Sequence, residues 1–156
     1  MRKSMLEINI RDFGGKGDGI FNNTASFKAA FDELAKNGGG KLVVGAGNWL
    51  TGPIDLVDNS TLEISEGANL SFITDPNAYP PAYTRWEGVE CYAMHSLIRA
   101  SNCKNVKITG KGIIDGNGSD WWGIVKAKKV AGQTKPIASY ELALAKLNPG
   151  YENQPG

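Results

Sequence analysis

Asn59-Ser60-Thr61-Leu62-Glu63-Ile64-Ser65 returns in outline as Lys104-Asn105-Val106-Lys107-Ile108-Thr109. In both stretches two aliphatic residues stand one position apart, with Leu62 set against Val106 and Ile64 against Ile108. Alternation with period two is the mark of a half-buried strand. Around them lie more runs of two to four residues: Leu42-Val43-Val44, Ile54-Asp55-Leu56, Leu70-Ser71-Phe72, Leu97-Ile98 and Ile113-Ile114. Gly, Asn, Asp and Ser fill the intervals, and 13 of the 20 glycines of the chain cluster at 14–19, 38–47 and 110–118. Glycine supplies the positive φ that tight turns need, so many short strands with such punctuation predict an all-β fold. Strands returning at a regular period predict a parallel β-helix, in which each coil buries its apolar face by stacking on the next. Residues 41–118 would supply about three to four coils, a stack roughly 15–20 Å tall. A small two-sheet sandwich shares the same pattern.

Before the coils, Leu6, Ile8 and Ile10 alternate as a strand does. Phe27, Ala30, Phe31 and Leu34 follow at helical spacing, with Asn22, Asn23 or Thr24 as the N-cap and Gly38 as the stop. This helix, carrying one apolar stripe, is expected to cap the end of the stack. Two segments break the rhythm and read as long loops: 74–94, with Pro76, Pro80, Pro81 and four large aromatics, and 118–135, which opens on Trp121-Trp122. Residues 139–147 predict a final helix, ended by Asn148-Pro149-Gly150. The organisation expected is one β-helix domain over 1–156: strand and cap helix in 1–40, coils in 41–118, then loop, helix and tail in 119–156.

Composition narrows the function classes. Seventeen basic and sixteen acidic residues leave a net charge of +1, which provides no field for nucleic acid or an anionic membrane. No run of 18 apolar residues occurs to span a bilayer. Residues 1–7 are basic without an apolar core, so a cytoplasmic location is expected as the sequence stands, or a secreted one if a leader is removed. Two cysteines, Cys91 and Cys103, are too few for a disulfide scaffold, and with the lone His95 they make no zinc site. Gly15, Gly17 and Gly19 lack the order of a dinucleotide loop, and Gly40-Lys41 is followed by Leu42 where a phosphate loop needs Ser or Thr. Asp115 to Asp120 resembles the start of a calcium loop, but Asp120 stands where its glycine should be and Lys126 where its final Glu should be.

In order along the chain come Asn9-Ile10-Arg11-Asp12-Phe13-Gly14-Gly15-Lys16-Gly17-Asp18-Gly19, Gly38-Gly39-Gly40-Lys41-Leu42-Val43-Val44, Leu50-Thr51-Gly52-Pro53, Thr84-Arg85-Trp86-Glu87-Gly88 and Ile113-Ile114-Asp115-Gly116. Together they resemble the opening portion of the polygalacturonases, glycoside hydrolase family 28, over about 110 residues. The resemblance implies a right-handed parallel β-helix scaffold, in preference to the sandwich, hydrolysis of α-1,4-linked galacturonans or pectic oligosaccharides with inversion, and no requirement for a metal or other cofactor. It further implies aspartates in an Asn-Thr-Asp motif and an Asp-Asp pair, then Gly-His-Gly and Arg-Ile-Lys, in later coils. None of these occurs here: Asn23-Thr24 is followed by Ala25, and His95 stands between Met94 and Ser96. No catalytic residue is therefore assigned, and this chain by itself is expected to be inactive.

Substrate binding is a separate matter. A uronate carries a carboxylate and a ring with an apolar face, which suit a guanidinium fork and a flat aromatic. On that chemistry Arg85, Trp86 and Glu87 are candidates for gripping a pectic sugar, and Trp121 and Trp122 are further candidates for stacking. Equally, Arg85 could pair with Glu87 or Glu90, Trp86 could plug its loop onto the scaffold, and Trp121 and Trp122 could pack. Lys126, Lys128 and Lys129 read as a solvated face. Asp12 and Asp18 suit local side-chain-to-backbone bonds better than catalysis. The alternative function is a non-catalytic saccharide-binding or structural module that self-associates through the open end of its β-helix.

Overall fold

The computed structural model describes residues 4–153. Its elements are β1 (Glu7–Asn9), β2 (Asp18–Asn22), α1 (Thr24–Lys36), β3 (Gly40–Val44), β4 (Gly47–Thr51), β5 (Ile54–Asp55), β6 (Ser60–Ile64), β7 (Ala68–Phe72), β8 (Pro81–Trp86), β9 (Val89–Met94), β10 (Ile98–Arg99), β11 (Lys107–Thr109), β12 (Ile113–Asp115), α2 (Gly118–Val130) and α3 (Ser139–Leu147). The chain is strand-rich with parallel sheets and few helices. It divides into two compact units, one of residues 4–73 with Leu97–Gly116 and one of Thr74–Ser96 with residues 117–153.

The first unit consists of parallel ladders. One sheet runs β1-β3-β6-β11, a second β2-β4-β7-β12, and a two-stranded third joins β5 to β10. Each strand pairs with its counterpart in the next rank, so like residues stand above like: Ile8, Leu42, Leu62 and Ile108 form one column. Trp49, Leu70 and Ile114 form another, and Ile54 stands over Ile98. In β3, β6 and β7 every second residue is buried, as period-two alternation requires when one face meets a core. Leu42, Leu62, Trp49 and Leu70 lose all contact with water. Burial of this size contributes about 1.5–3 kcal/mol per large apolar side chain, and it dominates the stability of the unit. At the last rank Ile108, Ile113 and Ile114 remain exposed.

The echo described above is real but shifted. Leu62 pairs with Ile108 rather than Val106, and Thr61 with Lys107. A slip of two residues keeps every side chain on its face, so the apolar pattern alone cannot detect it. Asparagine settles the register: Asn59 and Asn105 both take positive φ, 56° and 55°, and the Asn105 Nδ2 donates to Asn59 Oδ1 at 2.8 Å.

α1 lies where the apolar spacing puts it, burying Phe27, Ala30, Phe31 and Leu34 in the common core. Its N-cap is one of the three expected residues. Asn23 occupies the N-cap position without a capping bond. Its fully buried side chain instead accepts from Lys16 N and donates to the carbonyls of Lys16, Phe21 and Leu50. Asn22 Oδ1 accepts from Thr24 N and Oγ1. The glycine-rich entrance loop thus hangs on one amide. Its glycines answer to Trp49, whose indole donates to Gly45 O at 2.8 Å and lies under the Arg11 guanidinium. A Cβ on Gly15 or Gly17 would come within 3.1 or 3.0 Å of that ring.

In the second unit both expected loops prove to be ordered elements. Residues 81–94 form an antiparallel hairpin, β8 with β9, joined by Glu87-Gly88 at φ 46° and 88°. Positive φ at both central residues is the two-residue turn whose twist suits a hairpin. Three prolines upstream and a Glu in place of the usual Asn or Asp hid it. Residues 118–130 are α2, a helix without an apolar stripe, so periodicity had nothing to report. α3 covers the residues that the sequence predicts.

Candidate functional site

The candidates Arg85, Trp86 and Glu87 sit at the tip of the β8–β9 hairpin. Directly opposed pairs share a face, and successive residues alternate. Arg85 opposes Glu90 and Tyr83 opposes Tyr92, so these four stand on one face. Trp86 opposes Val89 on the other face, and Glu87 occupies the turn. Arg85 and Trp86, adjacent in sequence, therefore point in opposite directions. Trp86 is 67% exposed and plugs nothing.

On the arginine face the rings of Tyr83 and Tyr92 meet edge to face, 5.3 Å apart, and both are exposed. Tyr83 Oη donates to Glu90 Oε2 at 2.9 Å, a bond that raises the Tyr83 pKa by favouring the protonated phenol. Among the described residues Arg85 makes no hydrogen bond or ion pair, with Glu90 or any other group. Asn148 anchors the hairpin: its side chain accepts from Tyr92 N and donates to Tyr92 O, both at 2.8 Å, as a neighbouring strand would.

The two tryptophans of α2 differ from each other. Trp121 packs edge-on against Tyr79 at 5.5 Å, and burial pushes the Tyr79 phenol up to about 12. Trp122 is 75% exposed. The lysines behind them also divide. Lys126 and Lys129 are exposed as expected, whereas Lys128 pairs with Glu141, a carboxylate buried on α3, and lies 5.0 Å over the Tyr140 ring. Glu141 also accepts from Gln133 Nε2 and from the backbone N–H groups of Ile137 and Ala138. Burial opposes its charge, but the Lys128 ammonium and these donors outweigh it and hold the carboxyl at about 2.

Asp18 has a structural part. Asp18 Oδ1 accepts from Phe21 N and Ile20 N, which lowers its pKa and shapes the entrance turn. Glu87 and Asp115 belong to different compact units. His95 is buried, its ring Nδ1 2.6 Å from Ser96 O. No group of three or more metal-ligating side chains occurs among the described residues. Reading by alternation finds what reading by proximity in sequence missed: Tyr83, Glu90 and Tyr92 lie two, five and seven positions from Arg85 and share its face.

Comparison with known proteins agrees with the scaffold. The chain is 41% identical over 123 residues to a probable polygalacturonase of Vitis vinifera, covering 73% of this chain and 25% of that protein. It is 37% identical over 137 residues to an exo-poly-alpha-D-galacturonosidase of Dickeya chrysanthemi, covering 83% of this chain and 22% of that protein. The crystal structure of a hyperthermoactive exopolygalacturonase from Thermotoga maritima superposes with a TM-score of 0.71 at 37% identity, over 86% of this chain and 35% of that one. The chain thus spans about a quarter of the length of these curated relatives. Residues 39–147 match the family model of the glycosyl hydrolases family 28, and the chain belongs to that family.

Proposed function

We propose that these residues form the opening coils of a right-handed parallel β-helix in a pectin-degrading hydrolase, which cleaves α-1,4-linked galacturonan or its oligosaccharides with inversion. One observation carries the reading: the family match over residues 39–147 covers the ladders from β3 onward and the hairpin, scaffold and candidate binding surface together. Inverting glycosidases need two carboxyl groups about 6.5–9.5 Å apart across the scissile bond. Asp18 and Glu141 are engaged in a turn and at a helix start, and the family's aspartate motifs are not in this sequence. In this reading the chain supplies scaffold and saccharide contacts, and the acid and base come from a further part of the protein.

The test is release of reducing ends from polygalacturonate. The 156-residue chain alone is expected to release none, and a longer protein carrying the aspartate motifs is expected to hydrolyse it. A longer protein inert on every pectic substrate would refute the reading.

A further inference from the structure

The hairpin raises a question of charge. Arg85 and Glu90 are directly opposed across β8 and β9, the arrangement in which opposite charges ordinarily pair. They do not pair here. The Glu90 carboxylate is turned toward the Tyr83 hydroxyl, which donates to it at 2.9 Å. The Tyr83 ring is held edge-on against Tyr92 at 5.3 Å, and the Asn148 side chain bonds both the N–H and the C=O of Tyr92. A chain of contacts thus runs from Asn148 through Tyr92 and Tyr83 to Glu90 and leaves the exposed Arg85 guanidinium without a partner among the described residues. Beside it stand two half-exposed phenol rings, 52% and 38% open to solvent.

We infer that this face is a subsite for a carboxylated sugar: Arg85 takes the carboxylate, the Tyr83–Tyr92 pair supports the ring, and Tyr83 is a positioning residue that keeps Glu90 from neutralising Arg85. The inference rests on the proposed action on galacturonan for its ligand, and the two can fail separately. A free guanidinium presents its five N–H donors in a planar fork matched to a carboxylate, whereas one already bound to Glu90 would have to break that pair first. Trp86, on the opposite face, takes no part in this subsite.

Trigalacturonate titrated into the 156-residue chain, followed by calorimetry or by amide shifts of the hairpin, tests the assignment, with neutral galactotriose as control. Arg85→Gln is expected to weaken trigalacturonate binding about tenfold or more, the worth of a charged hydrogen-bonded contact. Tyr83→Phe keeps the ring but frees Glu90 to close on Arg85, and is expected to weaken binding severalfold. Glu90→Gln in the Tyr83→Phe background removes the competing charge and is expected to restore it. A ring needed only for folding would not be rescued at a second position. The assignment is overturned if the chain does not respond to trigalacturonate at millimolar concentration, if Arg85→Gln binds like the parent, or if the double variant is no better than Tyr83→Phe. None of these results bears on hydrolysis by the longer protein, which tests the proposed function by itself.

Discussion

The two units hold themselves together by different means. In the first, Leu42, Leu62, Trp49 and Leu70 are wholly buried in columns where each rank repeats the one before. In the second, polar side chains far apart in sequence make the ties: Thr74 to Asp120, Asn77 to Ser139 and Tyr92 to Asn148, with Glu141 buried at a hub of donors. A repeating apolar ladder tolerates local change because its driving force is nondirectional and spread over many contacts. A polar hub is directional, and removal of one member takes a specific partner from each of the others. The unit built of ladders is scaffold, and the unit built of polar ties carries the exposed hairpin with its candidate saccharide contacts.

Substitutions separate the two mechanisms. Trp49→Ala empties the floor beneath Gly15 and Gly17 and is expected to cost about 3–5 kcal/mol in urea unfolding, with loss of amide protection across the first unit. Glu141→Ala strands Lys128 and two backbone donors, an expected cost of about 2–4 kcal/mol. Hydrogen exchange should confine that loss to the second unit, and equal loss in both would erase the distinction drawn here. Glu141 also sets a pH dependence. Its carboxyl lies at about 2 when folded against an ordinary 4.5, so its contribution is complete above pH 5 and disappears as pH falls from there toward 2. Acid titration of the second unit's amides should therefore flatten in Glu141→Gln.

Smaller effects follow. Asn148→Ala removes both bonds to Tyr92 and should cost on the order of 1–2 kcal/mol, read as faster exchange of the β9 amides with α1 unchanged. Asn59→Ala places a Cβ-bearing residue without local hydrogen-bonding ability in the left-handed region, at about 1–2 kcal/mol, while Asn59→Gly should be milder. If Asn59→Ala proves neutral, the asparagine column does not set the register between β6 and β11.

Residue pattern alone determined the period-two strands of the first unit, the early helix over Phe27 to Leu34, the final helix at 139–147 and the family, because each depends on neighbours within a few residues or on an ordered set of motifs. The two-residue slip between β6 and β11 lay beyond it, since both registers bury the same face. So did the hairpin at 81–94, masked by its prolines and its Glu87-Gly88 turn, and the helix at 118–130, whose apolar residues follow no stripe. Arg85, Trp86 and Glu87 were legible as a cluster of suitable chemistry, yet pleating sends Arg85 and Trp86 to opposite faces and brings Tyr83, Glu90 and Tyr92 into their place. Which side chains share a surface is set by strand pairing, and pairing is a property of the folded chain.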